Sequence, residues 1–244
     1  MPISANTLIN ELGIGQNVAE LFINRHVPDN NEYWLKRTGY VSLSTGYIFI
    51  PTFFDLLVKK GFDVEVILDE GLLTTMEKVL QSAGKMEYKI ITTAQHIDDC
   101  RQILIENHVS PDEIERTEHM LVNRAFKHIP PRFTALRRAN TFLYIFGGQP
   151  LDLDELFATW ELLVPLMLLL DDFADVKEDM EAGEENCLLA GGGIANNFFE
   201  LVACSSRLLQ ELAIVNPALG RYLKRLKEEA VAQNMMAIIT LGTR

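Results

Sequence analysis

Cysteine is scarce in this 244-residue chain. Cys100, Cys187 and Cys204 form no CxxC pair and no Cys/His metal spacing, which excludes a disulfide scaffold or zinc module and predicts core thiols in a reducing compartment. Positive charge is also short. Twenty-two Lys and Arg face 34 Asp and Glu, for a formal charge of -12 and a pI near 4.9, and no basic stripe interrupts the deficit; nucleic acid is therefore not an expected partner. The longest apolar run, 162–170, is far below the length of a membrane span, and the opening MPISANTLINELG has neither the basic nor the apolar part of a signal peptide. A cytoplasmic protein without a transmembrane segment is expected. There is no internal repeat, low-complexity tract or long Gly/Ser/Pro linker, so the economical reading is one domain over 1–244.

Helix signals dominate from residue 92 onward. Ser110-Pro111-Asp112-Glu113 combines a cap, a first-turn proline and first-turn acids, and predicts a helix toward 127 that Pro130-Pro131 stops. A second helix is predicted over 132–146, ending at Gly147-Gly148. Asp152 or Asp154 caps a third that runs to about 180, with Pro165 inside it and Gly183 closing it. Because 162–170 is apolar all round, this helix belongs in the centre. Asn196 or Asn197 caps the next, and Asn216-Pro217 opens the last. The first part, 1–91, is poorly legible: 40–54 (YVSLSTGYIFIPTFF) and 63–69 (DVEVILD) read locally as strand or as helix held by packing. The expected fold class is all-α, a multi-helix bundle.

The richest chemistry lies where the central helix turns acidic, in LLVPLMLLLDDFADVKED. Asp171, Asp175 and Asp179 fall at i, i+4 and i+8, and Asp172 lies three before Asp175, so on a helix these carboxylates share a face and repel. Water, basic side chains or a hard divalent cation can neutralise them. Mg²⁺ takes one or two carboxylates and fills its octahedron with water and phosphate oxygens, so a helix-borne acidic face beside a cavity suits metal-bridged diphosphate binding. Calcium binding and plain solvation of a helix end are the other readings.

The segment 132–188 resembles the second half of the class I isoprenoid diphosphate synthases, the superfamily of polyprenyl diphosphate synthases, squalene and phytoene synthases and terpene cyclases. RFTALRRANTFLYIFGG resembles its Lys-Thr helix and small-residue helix end, and LDLDELFATWELLVPLMLLLDDFADVKED its second aspartate-rich motif, DDxxDVxxD. The resemblance implies a single-domain helical bundle around a central cavity and a homodimer. It also implies Mg²⁺ held by Asp171, Asp172, Asp175 and Asp179, and a prenyl diphosphate contacted by Arg132, with Arg137 and Arg138 nearby. The expected activity is ionisation of an allylic diphosphate followed by prenyl transfer or cyclisation. The alternative is a non-catalytic prenyl-diphosphate-binding or regulatory subunit.

A facing acidic motif is missing upstream. Asp98-Asp99, Asp69-Glu70 and Asp55 are the available acids, and Asp98-Asp99 is the leading pair. Asn196, Asn197, Glu200 and Ser205 match the residue types of the terpene-cyclase metal motif without its spacing. His26, His96, His108, His119 and His128 form no HxxxH or HExxH pair. Ser42 and Ser44 lack a nucleophile-elbow context, and Gly191 to Gly193 read as a helix connection, not a phosphate loop.

Overall fold

The computed structural model describes residues 3–35 and 37–242. Its α-helices are α1 (Ala5–Leu12), α2 (Gln16–Asn24), α3 (Thr45–Lys59), α4 (Val64–Ile67), α5 (Glu70–Glu87), α6 (Thr93–Glu106), α7 (Pro111–Thr117), α8 (Leu153–Ala182), α9 (Ile194–Val215) and α10 (Pro217–Gly242). Short 3₁₀ segments lie at Glu32–Trp34, Thr134–Arg137, Asn140–Phe146 and Cys187–Leu189, a π-turn lies at Glu118–Val122, and no strand occurs among the described residues. The fold is all-α, as expected. No helix among the described residues is long and apolar enough to cross a membrane.

Local signals set the long helices. The Asp152 carboxylate accepts the N–H groups of Asp154 and Glu155 at 3.0 and 3.1 Å, and Gly183, at φ 67°, ends α8 in the left-handed region. Ser110 with Glu113, and Thr92 with Gln95, each form a capping box. Asn216 accepts the Leu219 N–H at 3.1 Å and donates to the Leu12 carbonyl at 2.9 Å, so the turn between α9 and α10 is tied to the end of α1.

Packing overrides local preference elsewhere. The strand reading of 40–54 gives way to α3, in which the run from Ile50 to Leu57 is entirely buried despite its β-branched and aromatic content. Phe53 meets Trp160 of α8 edge-on at 5.0 Å, and Phe49 meets Phe142 at 5.2 Å, so α3 is held against the central helix. The strand reading of 63–69 fails for a local reason: the Asp63 carboxylate accepts the Glu65 N–H at 2.9 Å and starts α4. The helix from Ser110 stops at Thr117 and passes into the π-turn. The predicted helix over 132–146 is two 3₁₀ segments instead. Phe142 to Phe146 are five consecutive buried residues crossing between α5, α6 and the π-turn, so contacts, and not an amphipathic period, select the geometry. Neither Asn196 nor Asn197 caps α9; Asn197 is buried and donates to the carbonyls of Leu188 and Ala190 at 3.0 and 2.7 Å.

These elements surround a cavity of about 430 Å³ bounded by α3, α5, the 140–146 segment and α8. Gly84 permits its closure on one side: a Cβ there would come within 2.4 Å of the Tyr33 backbone nitrogen, so only glycine lets the Glu32–Trp34 turn lie on α5. Tyr33 then joins the wall, fixed by the Tyr47 hydroxyl, which donates to its carbonyl at 2.5 Å.

Candidate functional site

The cavity wall is mainly apolar. Phe49, Leu80, Met86, Phe142, Met167 and Leu168 line it, and Thr45, Glu87, Arg138, Thr141, Asp171 and Glu185 are among its polar groups. The cavity therefore has the form of a hydrocarbon pocket with a charged mouth.

Helix periodicity distributes the four aspartates of α8. Asp171 reaches the cavity, with Asp175 and Asp179 following outward on the same face. Asp172 points inward and is 0% exposed. One of its oxygens accepts from Arg138 Nη2 at 2.8 Å, and the other accepts the Cys187 backbone N–H at 2.7 Å. Asn186 donates to the Asp172 carbonyl at 2.9 Å and to Asp179 Oδ2 at 2.8 Å, pinning the acidic end of α8 to the loop that follows.

Arg138 is the cation of the mouth. It bonds Asp172, approaches Asp171 Oδ2 at 3.5 Å and donates to the Ala135 carbonyl at 3.2 Å. Burial works against its charge, and Asp172 followed by Asp171 more than restores it, so its pKa is raised. Asp171 is pushed above the usual carboxylate range, first by burial and then by the charges of Asp172 and Asp179, against the pull of Arg138 and of the Thr45 hydroxyl. Asp175 is raised by burial and by Asp171, Asp179, Glu178 and Asp172. Glu87 is open to water at the rim but ringed by protein behind, and burial followed by the negative charge of Asp171 raises it too. These carboxylates on two different helices are thus electrostatically short of cations.

The other sequence candidates lie elsewhere. Arg132 pairs with Glu200 and stacks on Phe133 at 4.4 Å, and neither Arg132 nor Arg137 lines the cavity. Asp98 pairs with Arg101 at 3.0 Å; Asp99 accepts the Ser82 hydroxyl at 2.7 Å; Asp69 caps α5; Glu70 pairs with Arg25 at 2.8 Å. Asp55 is buried against Lys59 and the Gly15 N–H. None of these acids lines the cavity. The acid facing Asp171 is Glu87, which sequence reasoning missed. A signal existed: Val79, Leu80, Ala83, Met86 and Glu87 form one stripe of α5, and an acid that continues an apolar stripe marks the rim of a cavity. Ser42 and Ser44 bond each other at 3.0 Å.

A metal test follows from this donor set. Among the described residues no three Asp, Glu, His or Cys side chains converge closely enough to hold an ion by themselves. Asp172 does not fit as a ligand, since both its oxygens are engaged in a fully buried position. Asp171 and Asp175, one turn apart on the same face of α8, are the carboxylates left to serve an ion of the Mg²⁺ kind, which needs only one or two when phosphate oxygens complete its shell.

No family model, curated protein or solved structure matches the chain.

Proposed function

We propose that the cavity receives the hydrocarbon chain of a prenyl diphosphate and that its mouth holds the diphosphate through Mg²⁺, as in the class I isoprenoid synthases that 132–188 resembles. The observation that carries this reading is an apolar cavity whose mouth has carboxylates from two helices, Asp171 and Glu87, with Arg138 beside them. An anion alone is repelled there. Arg138 is one positive charge against Asp171, Asp172, Asp175 and Glu87, so a diphosphate requires an added cation to enter. Asp171 and Asp175 would hold Mg²⁺, which when bound would supply Lewis-acid stabilisation of a departing diphosphate. The chain's own residues do the rest. Asp172, itself fixed by the Cys187 N–H, holds the Arg138 guanidinium at the cavity, so that its charge would meet the leaving group with little reorganisation. Phe49, Phe142 and Met167 exclude water from the hydrocarbon, and with α8 and α3 they form a wall suited to an allylic cation.

The test is calorimetric and chemical. Mg²⁺ with farnesyl diphosphate should raise the melting temperature by more than the sum of the two alone, because each supplies ligands the other lacks. Pyrophosphate should be released from at least one of geranyl, farnesyl and geranylgeranyl diphosphate. No joint shift at millimolar concentrations overturns the reading. Joint stabilisation without pyrophosphate release assigns the chain to the second reading, a binding or regulatory subunit.

A further inference from the structure

A row of hydrogen bonds leads from the cavity wall into the protein. Thr141 lines the cavity, and its hydroxyl lies 3.0 Å from His96 Nε2. His96 Nδ1 lies 2.9 Å from Ser82 Oγ, and Ser82 donates to Asp99 Oδ2 at 2.7 Å. His96 is 0% exposed and Ser82 is 3% exposed, whereas Asp99 reaches solvent. Burial lowers the His96 pKa and favours the neutral ring, and for a neutral ring the chemistry of the four groups fixes the direction of every bond. A carboxylate only accepts, so the single Ser82 hydrogen goes to Asp99. Ser82 Oγ must then accept, which places the His96 hydrogen on Nδ1 and leaves Nε2 with a lone pair. Nε2 accepts the Thr141 hydrogen, and Thr141 offers the cavity only its oxygen lone pairs. The Cys100 thiol, 3.8 Å from Nδ1, is held protonated by burial, its pKa pushed up to about 12, and does not compete as an anion.

We infer that Thr141 and His96 form a buried general base that takes a proton from the ligand in the cavity, with Ser82 and Asp99 as positioning residues. The step balances within the chain. A C–H bond next to an allylic cation breaks, its electron pair becomes a C=C bond, and the proton goes to Thr141 Oγ1 as the Thr141 hydrogen passes to His96 Nε2. The imidazolium so formed keeps its Nδ1–H on Ser82, which remains hydrogen-bonded to the Asp99 carboxylate. When product leaves and water enters, the transfers reverse and water takes the proton. The inference rests on the prenyl diphosphate reading for the identity of the proton donor; the orientation of the base does not.

Two measurements test it separately. Nitrogen NMR of ¹⁵N-histidine-labelled wild-type protein at pH 7 should show a neutral His96 protonated at Nδ1, the tautomer that free imidazole disfavours. An Nε2–H tautomer or an imidazolium at pH 7 overturns the assignment whatever the substrate. Products from farnesyl diphosphate with Mg²⁺ supply the second measurement, read as the alkene-to-alcohol ratio per pyrophosphate released, so that changes in turnover drop out. Thr141→Val, which keeps the side-chain shape, should lower this ratio about a hundredfold or more, the lower end of general-base effects, and Thr141→Ser should restore it. An unchanged ratio in Thr141→Val, or a wild type that releases pyrophosphate without alkene, overturns the proposal. Absence of pyrophosphate release defeats the prenyl diphosphate reading instead and leaves the NMR result to decide the base.

Discussion

The two sides of the cavity mouth hold their acids differently. On α8 a dense motif of aspartates is mostly engaged internally: Asp172 is a buried counter-ion for Arg138, Asp179 is tied to Asn186, and Asp171 alone of the four lines the cavity. On α5 a single Glu87 does so from the last residue of its helix, where the helix dipole disfavours negative charge. Motif density therefore measures how an acidic helix end is built, whereas exposure to the cavity measures what it can bind. A cation held by Asp171 on the proposed reading would lessen the repulsion on both sides, since Asp171 is the charge that raises Glu87.

The comparison breaks hardest at Arg138. Arg138→Met leaves Asp172 fully buried without its cation, and urea unfolding should show a loss of about 3 kcal/mol or more, as for other buried pairs cut on one side. Glu87→Gln should cost no stability by the same measurement. If the two substitutions had similar effects, the two sides would not differ in the way described.

A second test fills the space between the sides. Ala83 faces the cavity from α5, so Ala83→Phe should occupy part of it, leave the far-UV circular dichroism unchanged and remove most of the joint Mg²⁺ and farnesyl diphosphate shift in melting temperature. A full shift in this variant would place the ligand outside the cavity.

Stability against pH sharpens the contrast further. Asp171, Asp175 and Glu87 each have a folded-state pKa above the ordinary value, so the folded chain holds more protons than the unfolded chain between about pH 4 and the raised values. Their contribution to stability accordingly falls as pH rises through that window. Asp171→Asn/Glu87→Gln should therefore gain on the wild type as pH rises from about 4 through the raised values, by under about 1 kcal/mol because both groups are screened by water. Millimolar Mg²⁺ should diminish the gain. A constant difference across pH would remove the proposed repulsion.

The smallest effects are expected at the candidates that the fold leaves outside. Arg132→Ala and Asp98→Asn each cut one exposed ion pair, and each should change stability by less than about 0.5 kcal/mol with no change in ligand-induced melting shifts. A lost shift in Arg132→Ala would restore that residue to diphosphate binding.

Local signals made much of the second half legible. The caps at Ser110, Asp152 and Asn216 and the stop at Gly183 act within one turn of the backbone, and each marks a helix boundary in the folded chain. The acidic face of α8 was legible for the same reason, since helix period alone sets Asp171, Asp175 and Asp179 on one side. The site was only half legible, because the partner of each acid comes from a distant segment. Nothing near Glu87 in sequence points to Asp171, and nothing in RFTALRR distinguishes Arg138 from Arg132 or Arg137 until the 134–137 turn is docked on α8.

The sequence by itself determined a chain dominated by helix signals from residue 92 onward, with a central apolar helix that ends in carboxylates, because capping, helix period and side-chain polarity are properties of neighbouring residues. Tertiary structure alone decided that 45–59 is helix and not strand, that 134–146 runs as 3₁₀ turns, that Asp172 is a buried counter-ion, and that Glu87 and Arg138 meet Asp171 at a cavity. Those outcomes depend on which surfaces exclude water together, and burial of that kind exists only once distant segments have packed.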